Sequence, residues 1–67
     1  MSKTADALAT RIIERLERSD ALAAEAQARQ AREAVPDDGE LARLHGIALL
    51  MLGRAAEARA ALADAVR

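Results

Sequence analysis

The chain has 67 residues, just over half of them apolar, with ten basic and eleven acidic side chains and a formal net charge of −1. It contains no Phe, Tyr, Trp or Cys, which excludes disulfides, thiolate chemistry and the aromatic platforms on which single-stranded nucleic acids stack. Interspersed charges near neutrality make a solvated surface rather than a nucleic-acid footprint, and the longest apolar run, Ile47 to Leu52, is far too short to cross a bilayer.

Length allows one small domain over residues 1–67. Its apolar content is mostly alanine, which buries little area per residue, so self-association or a partner is expected on energetic grounds. The N-terminus lacks the basic start and apolar run of a signal peptide, and Asp6, Glu14 and Glu17 argue against a transit peptide. A cytoplasmic location is the default. Heavy use of Ala and Arg, with one Lys, suggests a GC-rich bacterial genome.

Four helices account for nearly all of the chain. The first starts after Ser2 or Thr4, either of which can cap it, and carries Leu8, Ile12, Ile13 and Leu16 on one stripe. Glu14 and Arg18 are spaced for an i,i+4 ion pair. Ser19-Asp20 interrupts the pattern and caps a second helix from about Ala21 to Ala34, in which Leu22 and the following Val35 are the only larger apolar residues. Glu25, Arg29 and Glu33 read as its outer face. Pro36-Asp37-Asp38-Gly39 is the clearest punctuation, since Pro36 biases Val35 out of the helical region and Asp37 or Asp38 caps the next helix. The third helix, about Glu40 to Leu52, is apolar almost all round in its second half and should be the buried centre of any assembly. Gly53 suits a left-handed turn, and a fourth helix runs from Arg54 to Arg67.

The chain nearly repeats itself after 34 residues. That shift lays Thr4 on Asp38, Asp6 on Glu40, Ile13 on Ile47, Leu16 on Leu50, Ser19 on Gly53, Ala24 on Ala58, Ala26 on Ala60 and Ala31 on Ala65. A period of this length in helix-forming residues belongs to stacked helical hairpins. The expected fold is therefore all-α: two antiparallel hairpins, a degenerate first repeat over 5–36 and a second over 39–67.

Gly46, Leu49, Gly53, Ala58, Leu62 and Ala65 occur in the order of a tetratricopeptide repeat, and the second hairpin resembles that family. Pro36 falls where the family places its inter-repeat proline. The first copy departs from the pattern. Ile12 replaces the small residue, Arg15 the bulky one, Ser19 the turn glycine and Ala28 the bulky residue of the second helix, while Arg11 and His45 stand where leucine is usual. Terminal repeats are often atypical because one side faces solvent.

Residues that could carry chemistry are better explained otherwise. His45 has no Cys, second His or flanking carboxylate at metal-ligand spacing and reads as a structural histidine, with Glu40 and Arg43 its nearest charged neighbours in sequence. Asp37-Asp38-Gly39-Glu40 lacks the alternating ligands of a calcium loop, and Leu52-Gly53-Arg54 lacks the residues of a phosphate loop. No catalytic, cofactor or metal site is expected. Arg11, Arg15 and Arg18 form a basic stripe balanced by Glu14 and Glu17; it reads as a solvated face, with an acidic partner segment as the functional alternative.

The resemblance implies that the first helix of each hairpin lines a groove. On this sequence the groove would hold Asp6, Ala9, Ile13, Leu16 and Glu17, then Glu40, Arg43, Ile47, Leu50 and Met51. The Lys and Asn side chains with which family members clamp a C-terminal carboxylate are missing, so that type of chaperone co-factor is not expected. The reading is a non-enzymatic protein–protein interaction module without cofactor, self-associating as a homodimer. Its partner-binding residues are Ile13, Leu16, Ile47, Leu50 and Met51, with Arg43 orienting. The dimer could instead be a helical bundle. Two alternatives remain: the N-terminal repeat of a longer protein, the end at Arg67 reading as a sequence about to enter another linker, or a docking segment that binds an amphipathic helix of a partner protein or enzyme.

Overall fold

A computed structural model of the chain describes residues 3–66. They form four helices: α1 (Lys3–Glu17), α2 (Ala21–Ala34), α3 (Gly39–Met51) and α4 (Ala55–Ala65). The fold is all-α, as the composition and periodicity require, and no strand occurs among the described residues. Side-chain caps fix two of the starts: Asp20 accepts a hydrogen bond from the Ala23 amide (3.3 Å) and Asp38 from the Leu41 amide (2.9 Å).

Some expectations need correction. Ser2 lies outside the described residues, and Thr4 sits inside α1 rather than ahead of it. The third helix begins and ends one residue earlier than expected. The fourth starts at Ala55 and stops at Ala65; Arg67 lies outside the described residues. Glu14 and Arg18 do not form their i,i+4 pair, because Arg18 has already left the helix for the turn; Arg15 instead reaches Asp20 at 3.6 Å.

The turns within the two hairpins are the same structure, 34 residues apart. In the first, Ser19 takes φ 58°, its amide donates to the Leu16 carbonyl (3.0 Å), and the Asp20 amide donates to Arg15 (2.9 Å). In the second, Gly53 takes φ 76°, its amide donates to Leu50 (3.0 Å), and the Arg54 amide donates to Leu49 (2.9 Å). Both are the crossed hydrogen-bond pattern that closes a helix through one left-handed residue. Asp20 and Arg54 then share nearly the same backbone angles, φ −93° with ψ 71° and φ −94° with ψ 69°. The serine carries a steric penalty that the glycine avoids.

Four antiparallel helices could close into a bundle, but these do not. The α3 helix packs on α1, α2 and α4, whereas among the described residues α4 packs its backbone on α3 and meets the first hairpin only through ion-paired side chains. The result is an open, flattened array, 30 × 26 × 15 Å. One core cluster joins the first hairpin to α3, through Ala5, Ile12, Ala24, Ala28, Ala31, Leu41, Leu44 and Ala48. A smaller one, Leu49, Ala58 and Ala61, lies within the second hairpin. Alanines dominate both, which lets helix axes approach closely.

Gly46 marks a close approach of α3 and α4. A Cβ there would lie 2.6 Å from Leu62 Cδ2 and 2.7 Å from its Cγ. In the first hairpin the equivalent positions carry Ile12 and Ala28, both fully buried. The bulky residue has moved from the second helix to the first and the small one the other way.

Two outcomes are expected for stability, read from urea midpoints. Ser19→Gly raises it by about 1 kcal/mol and Gly53→Ser lowers it by about the same. Gly46→Ala destabilises by about 1 kcal/mol, the helix-propensity gain being outweighed by overpacking; placed on Leu62→Ala it becomes neutral or stabilising. A loss of equal size in both backgrounds would show that Leu62 is not what Gly46 accommodates.

Candidate functional site

Helices α2, α3 and α4 are joined by a chain of ionisable side chains. Glu25 on α2 is only 6% exposed. Its Oε2 lies 2.9 Å from His45 Nε2 on α3, and its Oε1 lies 3.3 Å from Arg29 and 3.8 Å from Arg54 at the start of α4. On the other side of the imidazole, one Arg32 nitrogen is 3.1 Å from Nδ1, and the other donates to Asp64 Oδ2 on α4 at 2.6 Å. This corrects the placing of Glu25 on an outer face. Arg29 and Glu33 are exposed there, but Glu25 lies beside the buried stripe Ala24, Ala28 and Ala31 and turns toward the second hairpin.

The arginine decides the state of the ring. A guanidinium only donates, so Nδ1 must accept from Arg32. The ring proton then sits on Nε2 and donates to the Glu25 carboxylate. Both His45 ring nitrogens are thereby engaged, and its side chain is 13% exposed. The arrangement ties α2 to α3 through Glu25 and His45, and both to α4 through Arg32 and Asp64. The partners of His45 are 20 and 13 residues away in sequence, not the neighbouring Glu40 and Arg43.

At the mouth of the network Arg54 also donates to Glu57. That hydrogen bond, and secondarily its positive charge, holds the Glu57 carboxyl below its ordinary value; the same bond raises the Arg54 guanidinium. Both groups face water, where such pairs are screened and contribute little. Among the described residues, no group of three or more His, Cys, Asp or Glu side chains is placed to hold a metal ion, and no helix is long and apolar enough to cross a membrane.

A second feature lies on α1 and α3. Ala5, Asp6 and Ala9 share a cleft of about 140 Å³ with Asp38 and Glu40, which sets the two helices side by side with their N-termini together. Leu16 and Ile47 are partly buried against the common core cluster. Ile13 is 38% exposed, Leu50 54% and Met51 46%. Arg43 is also exposed and ion-paired to Glu40 at 2.6 Å. Thus every groove residue named from the sequence is at least partly exposed, while Ala5, Ile12, Leu41, Leu44 and Ala48 on the same helices are buried. Leu22 and Val66, also exposed, lie on α2 and beyond α4. The basic stripe borders a separate cleft of about 310 Å³, lined by Arg11, Glu14, Arg15, Arg18 and Gln27.

No protein family, no curated protein and no solved structure matches the chain.

The sequence missed Glu25 and Arg32 as partners of His45. An i,i+4 Glu25–Arg29 pair is what an exposed helix face displays, and that pair does form. The only available signal was position: Glu25 adjoins Ala24 and lies three residues before Ala28.

Removing the carboxylate leaves the His45 Nε2–H without its acceptor, so Glu25→Ala costs about 1–3 kcal/mol by urea unfolding. In His45→Leu the same change costs less, because no buried donor is stranded. Nitrogen-15 spectra of the ring at neutral pH show the proton on Nε2; a proton on Nδ1, or rapid exchange between the two, would contradict the network.

Proposed function

We propose that the chain is a non-enzymatic protein–protein interaction module that self-associates through the strip formed by Ile13, Leu16, Ile47, Leu50 and Met51. The single observation that carries this is the exposure of Ile13, Leu50 and Met51 in a chain with so little bulky apolar side chain to spare. Its larger buried residues are few, Ile12, Leu41 and Leu49 being the largest fully shielded from water. Leaving others at the surface of two adjacent parallel helices forgoes stabilisation unless a partner covers them.

A two-fold dimer suits this strip. An isologous interface brings the same patch from both protomers together, and paired Ile13/Ile47 and Leu16/Leu50 give it apolar rungs along both helices. Arg43, held by Glu40 at the rim, limits sliding because a shifted register would bury its charge against aliphatic side chains. The tetratricopeptide-like reading of the hairpins supports the same face, as the leading helices of such hairpins line the groove that receives a partner. A cytoplasmic, bacterial setting accords with the composition.

The test is sedimentation across a dilution series, with helicity followed in the same samples. The expected result is a dimer whose dissociation constant rises at least tenfold in Leu50→Glu, equivalent to about 1.4 kcal/mol, with helicity at high concentration retained. A helical monomer at all concentrations would overturn self-association and leave an amphipathic helix of another protein as the occupant of the strip. Association unchanged by Leu50→Glu would overturn the choice of surface.

A further inference from the structure

The cleft of about 310 Å³ along the basic stripe does not stand alone. A second cleft, of about 180 Å³, continues it and is lined by Leu8, Arg11, Gln27, Gln30, Ala31 and Ala34. Arg11 and Gln27 belong to both, so the two form one groove between α1 and α2, basic toward Arg18 and apolar toward Leu8. Charge in this groove is unbalanced. Three arginines line it against one carboxylate, Glu14. Arg15 is paired to Asp20 at 3.6 Å, but Arg11 and Arg18 are exposed and ion-paired to no described residue. Gln27 carries an unmet need of another kind. Its Oε1 is shielded from water and accepts no hydrogen bond from any described residue, an unfavourable state that a donor entering the groove relieves once the carboxamide turns outward.

We propose that this groove binds a short, extended acidic segment of a partner protein. An aliphatic side chain of that segment seats against Leu8 and Ala31, and carboxylates two and four residues further on pair with the arginines. Spacing supports an extended chain. Arg11 and Arg15 are roughly 6 Å apart along the α1 axis, and side chains on one face of a strand recur at about 6.6 Å. Gln27 and Gln30 also require backbone groups to bond, which an extended peptide leaves free and a helix does not. A second copy of the chain is a poor occupant because its own acidic run is committed. Asp38 caps the Leu41 amide at 2.9 Å and Glu40 pairs with Arg43 at 2.6 Å. Nucleic acid fits no better, since Glu14 repels phosphates and no aromatic side chain is present to stack on bases. Arg11, Arg15 and Arg18 lie on a different face of α1 from Ile13 and Leu16, so the inference does not rest on self-association.

The experiment titrates the full chain into a fluorescent octapeptide and follows anisotropy. The peptide carries Leu at its second position, Glu at its fourth and sixth, and Gly or Ser elsewhere. The expected result is saturable binding that Arg11→Gln combined with Arg18→Gln weakens about tenfold or more. Glu14→Gln tightens it about threefold by removing a like charge, an effect that shrinks as salt is raised. All three positions are exposed, so helicity is retained in each variant. Peptides with Gly in place of Leu, or Gln in place of Glu, bind at least about tenfold more weakly. Leu50→Glu leaves the affinity unchanged, which separates this surface from the dimer strip. No saturable binding, or equal affinity for the Gln peptide, would overturn the proposal. Indifference to Glu14→Gln would place the peptide elsewhere. Tighter binding of a single-stranded oligonucleotide or of phosphatidylserine vesicles through the same arginines would overturn the choice of an acidic peptide.

Discussion

A core built mainly from alanine cannot be filled by side chains; it must be filled by bringing backbones together. That constraint governs the placing of nearly every larger residue. Where two helices of a hairpin approach, room exists for one bulky side chain opposite a small one, and the two hairpins solve the problem in opposite ways. The second puts Leu62 over Gly46, and the first buries Ile12 with Ala28. Total volume is roughly conserved while its location is exchanged, the kind of change that packed interiors tolerate best. The same close approach leaves no space for Ile13, Leu50 and Met51 beneath the helices, and they remain at the surface.

Close packing of small residues is permissive about register, because one alanine surface slides on another at little cost. The Glu25–His45–Arg32–Asp64 chain supplies what the alanines lack. Each bond is directional, each partner comes from a different turn of helix, and displacement by one residue would strand a buried charge. Such a tie need not add much net stability, since taking these groups out of water offsets a large part of their attraction. Its contribution is to make one stacking of hairpin on hairpin distinctly better than its neighbours. That reading also gives the one histidine of the chain a structural part.

The helices were legible in the sequence because their ends are chemically marked. Asp20, the Pro36–Asp38 segment and Gly53 each interrupt a strongly helical composition, and the observed boundaries fall within a residue of those marks for α2 and α3. The turn at Ser19 was legible only as an interruption, since serine does not advertise a left-handed backbone. Read one position at a time, Ile12 and Ala28 look like departures from the repeat; only as a pair are they seen to compensate. The surface strip was legible from periodicity. Its division into exposed Ile13 and buried Ile12, however, depends on which flank of α1 receives α2 and α3, and no local pattern states that. Glu25 was hidden for a different reason. Its pairing with Arg29 looks the same whether the carboxylate faces water or a neighbouring helix.

That α4 meets the first hairpin only through ion-paired side chains, among the described residues, has a kinetic meaning. Helices that touch mainly their neighbours in sequence need little loop closure before contacts form, which favours rapid folding. It also means that no single helix closes the structure. Detachment of the last helix from α3 would leave the larger cluster among α1, α2 and α3 intact, at the loss of the Leu49–Ala58–Ala61 cluster, the packing of Leu62 on Gly46 and the side-chain ties through Arg32 and Arg54. Protection of backbone amides against exchange should then decline along the chain from the Ile12–Leu44 region toward Ala65 in graded steps. The molecule is better pictured as a short one-dimensional stack with a loose end than as a unit that opens all at once.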